Sequence, residues 1–308
     1  MYHKYFSSNT FKTTGIAVVA LVLLSLFSCE KEVKINLESG DPQLVVEGAI
    51  ETNLPPYVIL TNSIGYFSTI NLETIQNSFV HDAEVTVSDG SKTVNLVEYS
   101  IDTGSNGAKF SIYTVDTTQP FSTWLRGEEN KTYKLTIKYN GQVYEATTKI
   151  PTPTPIDSVI TAEPPFIPDG NLDAKFIKIF FKDPDTLGNY IRYYTRRNDE
   201  PFYPGLNSVY PDELINGTYF ETTLSAGEDR SKERNFDSSG YFYVGDSVTL
   251  KWCAIDKATY DFWSTYEFAL GTLGSPFASP TRVKSNISNK ALGIWAGYGS
   301  AYYSLTIR

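Results

Sequence analysis

Apolar and polar residues alternate in steps of two through much of the first half of the chain. Ala83-Glu84-Val85-Thr86-Val87-Ser88 alternates strictly, as a strand does when one face meets a core and the other meets water. Asp89-Gly90 is a hairpin-turn signal, and Thr93 to Tyr99 returns with the same period. Tyr133 to Tyr139 alternates too, Asn140-Gly141 predicts a type I′ turn, and Gln142 to Thr147 comes back. Ahead of these, Gln43 to Ile50 and Tyr57 to Thr61 read as strands parted by Pro55-Pro56. No helical period interrupts residues 41–150. The pattern predicts an N-terminal β-sandwich of immunoglobulin or transthyretin size.

Pro151-Thr152-Pro153-Thr154-Pro155 breaks the pattern. Prolines spaced by two cannot donate to a ladder and favour extended geometry, so 151–155 predicts a domain seam, or an edge strand finishing the first domain. Beyond it, residues 156–308 read as a second β-rich domain. Strands are expected over Lys175 to Lys182, Tyr190 to Arg196, around Cys253, and from Ser300 to Ile307. Residues 197–240, rich in Asp, Glu, Gly, Ser and Pro, read as loop. One helix is predicted near 257–270, with Asp256 as N-cap and Tyr260, Phe262, Trp263, Tyr266 and Leu270 at helical spacing before Gly271. The fold class is mainly β.

The amino terminus obeys a different rule. His3, Lys4 and Lys12 stand in an acid-free start, followed by the 13-residue apolar run Gly15 to Phe27. That run is shorter than the roughly 20 residues a spanning helix needs and suits the core of an export signal. Leu26-Phe27-Ser28-Cys29 followed by Glu30-Lys31-Glu32 resembles a bacterial lipoprotein signal, with Phe27 departing from the small residue usual at its place. The reading is a signal peptide over 1–28, acylation of Cys29 (palmitate among the chains), and a charged tether over 29–40. Two or three acyl chains, at about 0.8 kcal/mol per buried methylene, anchor a protein on a membrane without spanning it.

Charge and composition narrow the chemistry. Thirty-five Asp and Glu against 26 Lys and Arg give a net charge of −9, the wrong sign for a nucleic-acid binder. With Cys29 acylated, Cys253 has no disulfide partner and reads as a buried strand residue. Only His81 remains after the signal, so a Ser-His-Asp mechanism would have to pass through it, and the residue reads as a solvated strand start. The nucleophile elbow, zinc-protease, phosphate-loop and Rossmann signatures are missing. Asp183, Asp185, Gly188 and Asn189 suggest calcium, but Leu187 and Tyr194 stand where an EF-hand loop needs oxygen ligands. A strand-ending turn is expected there instead. No cofactor and no metal are expected.

Two constellations remain. Tyr190, Arg192, Tyr193, Tyr194, Arg196, Arg197, Phe202 and Tyr203 could grip an anion or stack on a sugar. They could equally be a strand with aromatic residues on both faces. Trp295-Ala296-Gly297-Tyr298-Gly299 reads as a Gly-punctuated aromatic loop for a partner, or as a tight turn with both rings packed inward. Candidate surface residues are therefore Arg192, Tyr194, Arg196, Trp295 and Tyr298.

The order of elements carries a resemblance. The acidic start Cys29 to Val33 is followed by Pro55-Pro56-Tyr57-Val58-Ile59-Leu60, a Gly-aromatic element at Ser63 to Phe67, and Ile150-Pro151. Ser285-Asn286-Ile287 and Leu292-Gly293-Ile294-Trp295-Ala296-Gly297-Tyr298 close the series, with Ile294-Trp295 where Tyr-Phe is usual. Together they resemble an uncharacterised Bacteroidota lipoprotein family, domain of unknown function 4249. The resemblance implies an outer-membrane lipoprotein, on the periplasmic or the surface-exposed face, often encoded beside a TonB-dependent transporter and without an established reaction. The expected function is a non-catalytic binding or accessory module aiding nutrient uptake. The alternatives are a structural or adhesive surface lipoprotein and, less favoured, a hydrolase using paired carboxylates.

Overall fold

The computed structural model describes residues 41–65, 68–102, 109–164, 173–235, 239–275, 277–279 and 281–308. The expected signal peptide and tether, Cys29 and the Tyr66-Phe67 pair lie outside the described residues.

The alternating segments become strands. In the first half these are β1 (Leu44–Glu51), β2 (Tyr57–Asn62), β3 (Glu84–Ser88), β4 (Thr93–Asp102), β5 (Lys109–Thr114), β6 (Thr132–Tyr139) and β7 (Gln142–Lys149). In the second half they are β8 (Ser158–Ala162), β9 (Ala174–Lys182), β10 (Tyr190–Arg197), β11 (Tyr203–Pro211), β12 (Tyr219–Leu224), β13 (Phe242–Tyr243), β14 (Ser247–Ile255) and β15 (Leu292–Thr306). The protein is mainly β, as expected. The β6–β7 turn has positive φ at both Asn140 (48°) and Gly141 (72°), the geometry of type I′. At the β3–β4 turn the Asp89 carboxylate holds the chain, accepting from the backbone N–H groups of Ser91 (3.0 Å) and Lys92 (2.7 Å).

Three expectations change. A short helix, α1 (Leu72–Ser78), stands where none was expected. It buries no residue, so no apolar stripe marks it, and its signal is the Asn71 cap accepting from Thr74 N at 2.8 Å. β11 and β12 occupy much of the 197–240 stretch expected to be loop. β12 is mostly exposed on the edge of a small sheet, so burial imposes little apolar alternation on it. Trp295 to Gly299 is no loop. It lies inside β15, which begins at Leu292. Its glycines serve a close approach of backbones: a Cβ at Gly297 would sit 2.5 Å from the Lys149 carbonyl oxygen, and one at Gly299 would sit 1.8 Å from that of Pro151.

An 11-stranded sheet runs β11-β10-β14-β15-β1-β2-β5-β4-β3-β6-β7, beside a smaller sheet ordered β12-β9-β13 with β8 also paired to β9. The junction is the parallel pair β1–β15, from Val45 opposite Leu292 to Glu51 opposite Tyr298. Through it the first and second halves share one sheet, and residues 41–308 form one compact unit.

Three cores follow from the alternation. Val46, Ile50, Val58, Leu60, Val85, Leu135, Ile137 and Trp295 belong to the first. Ile177, Ile179, Tyr193, Leu250, Trp252 and Ile307 belong to the second. The third lies under the predicted helix, α2 (Lys257–Gly271), where Ala49, Cys253, Ile255, Phe262, Ile294, Ala296 and Tyr298 meet. Asp256 caps α2 as expected, accepting from Thr259 N at 2.8 Å. It also accepts from Thr148 Oγ1 (2.8 Å) and Lys149 N (3.0 Å), tying the helix start to β7.

Candidate functional site

Period two sends one set of residues on the central strands towards the cores and the other set to the opposite face. On β10 the odd positions Ile191 and Tyr193 enter the second core, while Arg192, Tyr194 and Arg196 face away from it. On β14, Leu250 and Trp252 point into that core, and Lys251 and Cys253 point the other way. On β1, Val46 and Ile50 face the first core, and Glu47, Ala49 and Glu51 turn to the opposite side. α2 covers part of this shared face. The remainder is a cleft of about 390 Å³, within the size range of small-molecule sites.

Arg192 forms its floor and is only 2% exposed. Its Nε donates to Ser208 Oγ (3.2 Å) and its Nη1 to the Tyr298 hydroxyl (3.2 Å). The guanidinium carbon lies 3.4 Å from the centre of the Trp263 ring and 4.7 Å from that of Tyr194, a cation–π arrangement strengthened by desolvation. Burial works against its charge, but Tyr194, Tyr298 and Glu267 outweigh that and raise its pKa. Among the described residues no carboxylate pairs with it, and its Nη2 makes no hydrogen bond. Tyr298 also accepts from Trp263 Nε1 (2.9 Å), and Ser208 donates to Glu267.

The walls carry further charge. Lys251 pairs with Glu51, both side chains being mostly buried, and Tyr302 donates to the same carboxylate at 2.6 Å. Arg230 reaches Glu267 at 2.9 Å. Glu47 is open to the water of the cleft yet surrounded by protein. Desolvation raises its carboxyl pKa, with the Arg192 charge opposing. Beside it Tyr57 is pushed well above its usual pKa, first by burial and then by Tyr298 and Glu47, so it is a neutral hydroxyl.

Of the residues expected at a surface, the structure brings Arg192, Tyr194 and Tyr298 together in this cleft. Arg196 is exposed nearby, its guanidinium 4.8 Å from the ring centre of Phe202, a cleft residue. Trp295 must be corrected. It is fully buried in the first core on the other side of β15, its Nε1 donating to the Tyr133 carbonyl at 3.0 Å. Its backbone pairs with the Asn286 side chain (3.0 and 2.8 Å), which gives the Ser285-Asn286-Ile287 element a structural role. Arg192 is likewise no surface residue but the floor of a concavity, because β10 is an inner strand of the large sheet.

Glu47, Glu51, Lys251, Tyr57 and Trp263 were not expected from the sequence as site residues. A signal was available in β1, where two acids share one face of an otherwise apolar strand.

Other chemistry-bearing groups are accounted for locally. Cys253 is buried beside Ser300 Oγ (3.2 Å), and burial pushes its thiol up to about 11, far from a reactive thiolate. His81 contacts Glu98, and Ser111 donates to that same carboxylate rather than to the imidazole. This is not the nucleophile–base–acid order of a hydrolytic triad. Asp183 is fully buried in the turn after β9, accepting from Gly217 N at 3.3 Å. Among the described residues no group of three or more His, Cys, Asp or Glu is placed to hold a metal. A larger cavity of about 530 Å³ lies between the 197–241 segments and α2. Its cations already face acids, in the pairs Arg197–Glu200, Arg230–Glu267, Lys232–Asp229 and Arg234–Glu228.

A family model described as "Domain of unknown function (DUF4249)" matches residues 30–304. No curated protein matches the chain.

Proposed function

Because the chain belongs to the DUF4249 family, whose description names no activity, we propose its function from the cleft. It is a membrane-anchored, non-catalytic binding module that holds a small organic ligand against Arg192. One observation carries this reading: a buried guanidinium with no carboxylate partner and an unfilled donor lines an aromatic cleft. Tyr194, Tyr298 and Glu267 hold its charge, but among the described residues its Nη2 donor has no acceptor, and an anionic ligand group would fill it. Aromatic walls with a few convergent polar groups are the usual makeup of a ligand site.

The lipobox at Cys29 supports anchoring of this module to the outer membrane. There we propose that it hands its ligand to a TonB-dependent transporter. The test is native mass spectrometry of the lipidated protein taken from its own host, with and without Arg192→Met, alongside a pull-down of outer-membrane proteins. The expected result is a low-mass ligand lost in the variant and a co-purifying outer-membrane β-barrel. Ligand-free protein from every preparation, with a deletion strain that keeps nutrient uptake but loses surface attachment, would overturn the reading in favour of an adhesive role.

A further inference from the structure

Five charged side chains line the cleft: Glu47, Glu51, Arg192, Arg230 and Lys251. Three of them are neutralised within the protein, Glu51 by Lys251 and Arg230 by Glu267. Two are left over, Arg192 and Glu47, and they have opposite signs. Both line the same cleft, near enough for the Arg192 charge to oppose the desolvation of Glu47, and among the described residues neither has an ion-pair partner. A space therefore separates an unpaired cation from an unpaired anion.

Resting on the reading of the cleft as a binding site, we infer that its ligand is a small zwitterion. This is an amino acid or short peptide with free ends, its carboxylate on Arg192 and its ammonium on Glu47.

Other ligand charges fit less well. A simple anion such as phosphate would satisfy Arg192 but stand in the field of Glu47, and like-charge juxtaposition is costly in a concave, partly desolvated site. A cation alone would reverse the problem. A neutral sugar could hydrogen-bond to both groups but would bring a counter-charge to neither. A zwitterion brings a counter-charge to each and, having no net charge, approaches an acidic body without repulsion. The neutral Tyr57 hydroxyl beside Glu47 offers the ammonium a further acceptor, and the open Nη2 of Arg192 offers the carboxylate a second donor. The rings of Phe202, Tyr266 and Tyr57 would take the side chains between the two ends.

The test is calorimetric titration of the full-length protein in detergent with tri-tyrosine, its N-acetyl form, its C-terminal amide, inorganic phosphate and maltotriose. Tri-tyrosine is expected to bind, and blocking either end to weaken it about tenfold or more. In Glu47→Gln, a near-isosteric change at an exposed side chain, the acetylation penalty should vanish while the amidation penalty stays. Equal binding of free and blocked peptides would overturn the inference. So would binding of phosphate or maltotriose without the peptide, which would leave the broader reading of a ligand cleft standing. Failure of every probe would also overturn it, whereas the mass-spectrometric search for a native ligand decides the broader reading separately.

Discussion

The two faces of the β1–β15 junction are built from the same strands, yet they obey opposite rules. On one face Val46, Ile50 and Trp295 pack against the strands of the first half, and every polar atom of Trp295 has a partner inside the protein. On the other, Glu47, Glu51 and Tyr298 line a cleft with Arg192, and among the described residues Glu47 and Arg192 have no ion-pair partner. The first face lowers the free energy of folding. The second leaves polar groups open to the cleft, as the proposed ligand site requires.

The comparison can be broken by substitution on either side. The largest effect belongs to the packed face. Trp295→Ala removes a fully buried indole and its hydrogen bond to Tyr133, and should cost about 3–5 kcal/mol in denaturant unfolding. Next comes the tie between helix and sheet. Asp256→Ala removes the N-cap of α2 together with two hydrogen bonds from β7, and should cost about 2–3 kcal/mol. A smaller effect lies far from the cleft. Hydrogen bonds led by the Lys92 N–H hold Asp89 at a pKa of about 2, below its ordinary 3.8. Its contribution is therefore complete above pH 4 and fades as pH falls towards 2. Asp89→Asn should cost about 1 kcal/mol at pH 7 and little at pH 2, read from unfolding curves at the two pH values.

The strands that pack behind this junction were largely legible in the sequence, though Trp295 was not. Alternation at Glu84–Ser88 and around Asn140-Gly141 announced strands and turns because one side of each strand meets a core. β11 and β12 escaped notice because edge and half-exposed strands need no such pattern. The β1–β15 pairing escaped as well, since its partners lie at opposite ends of the folded chain and no local propensity links them. At the site, Arg192, Tyr194 and Tyr298 drew attention through composition alone. Whether each lay on a surface, in a core or at the floor of a cleft depended on which strands became neighbours. Trp295 and Tyr298 show this most clearly. They are three residues apart in one strand, so they emerge on opposite faces, and only one reaches the cleft.

The smallest expected effect on stability is the most informative. If Arg192 is kept for a ligand, its removal should hardly disturb the fold. Its two partners keep other bonds when it goes, Ser208 to Glu267 and Tyr298 from Trp263, so no polar group is orphaned. The decisive measurement is the denaturant-unfolding free energy of Arg192→Met beside the wild type, without added ligand. The account predicts equality within about 1 kcal/mol, or a gain, as when a buried charge is replaced by an apolar side chain of similar size. A loss of about 3–5 kcal/mol would mark Arg192 as a structural strut and contradict the claim that it floors a binding site.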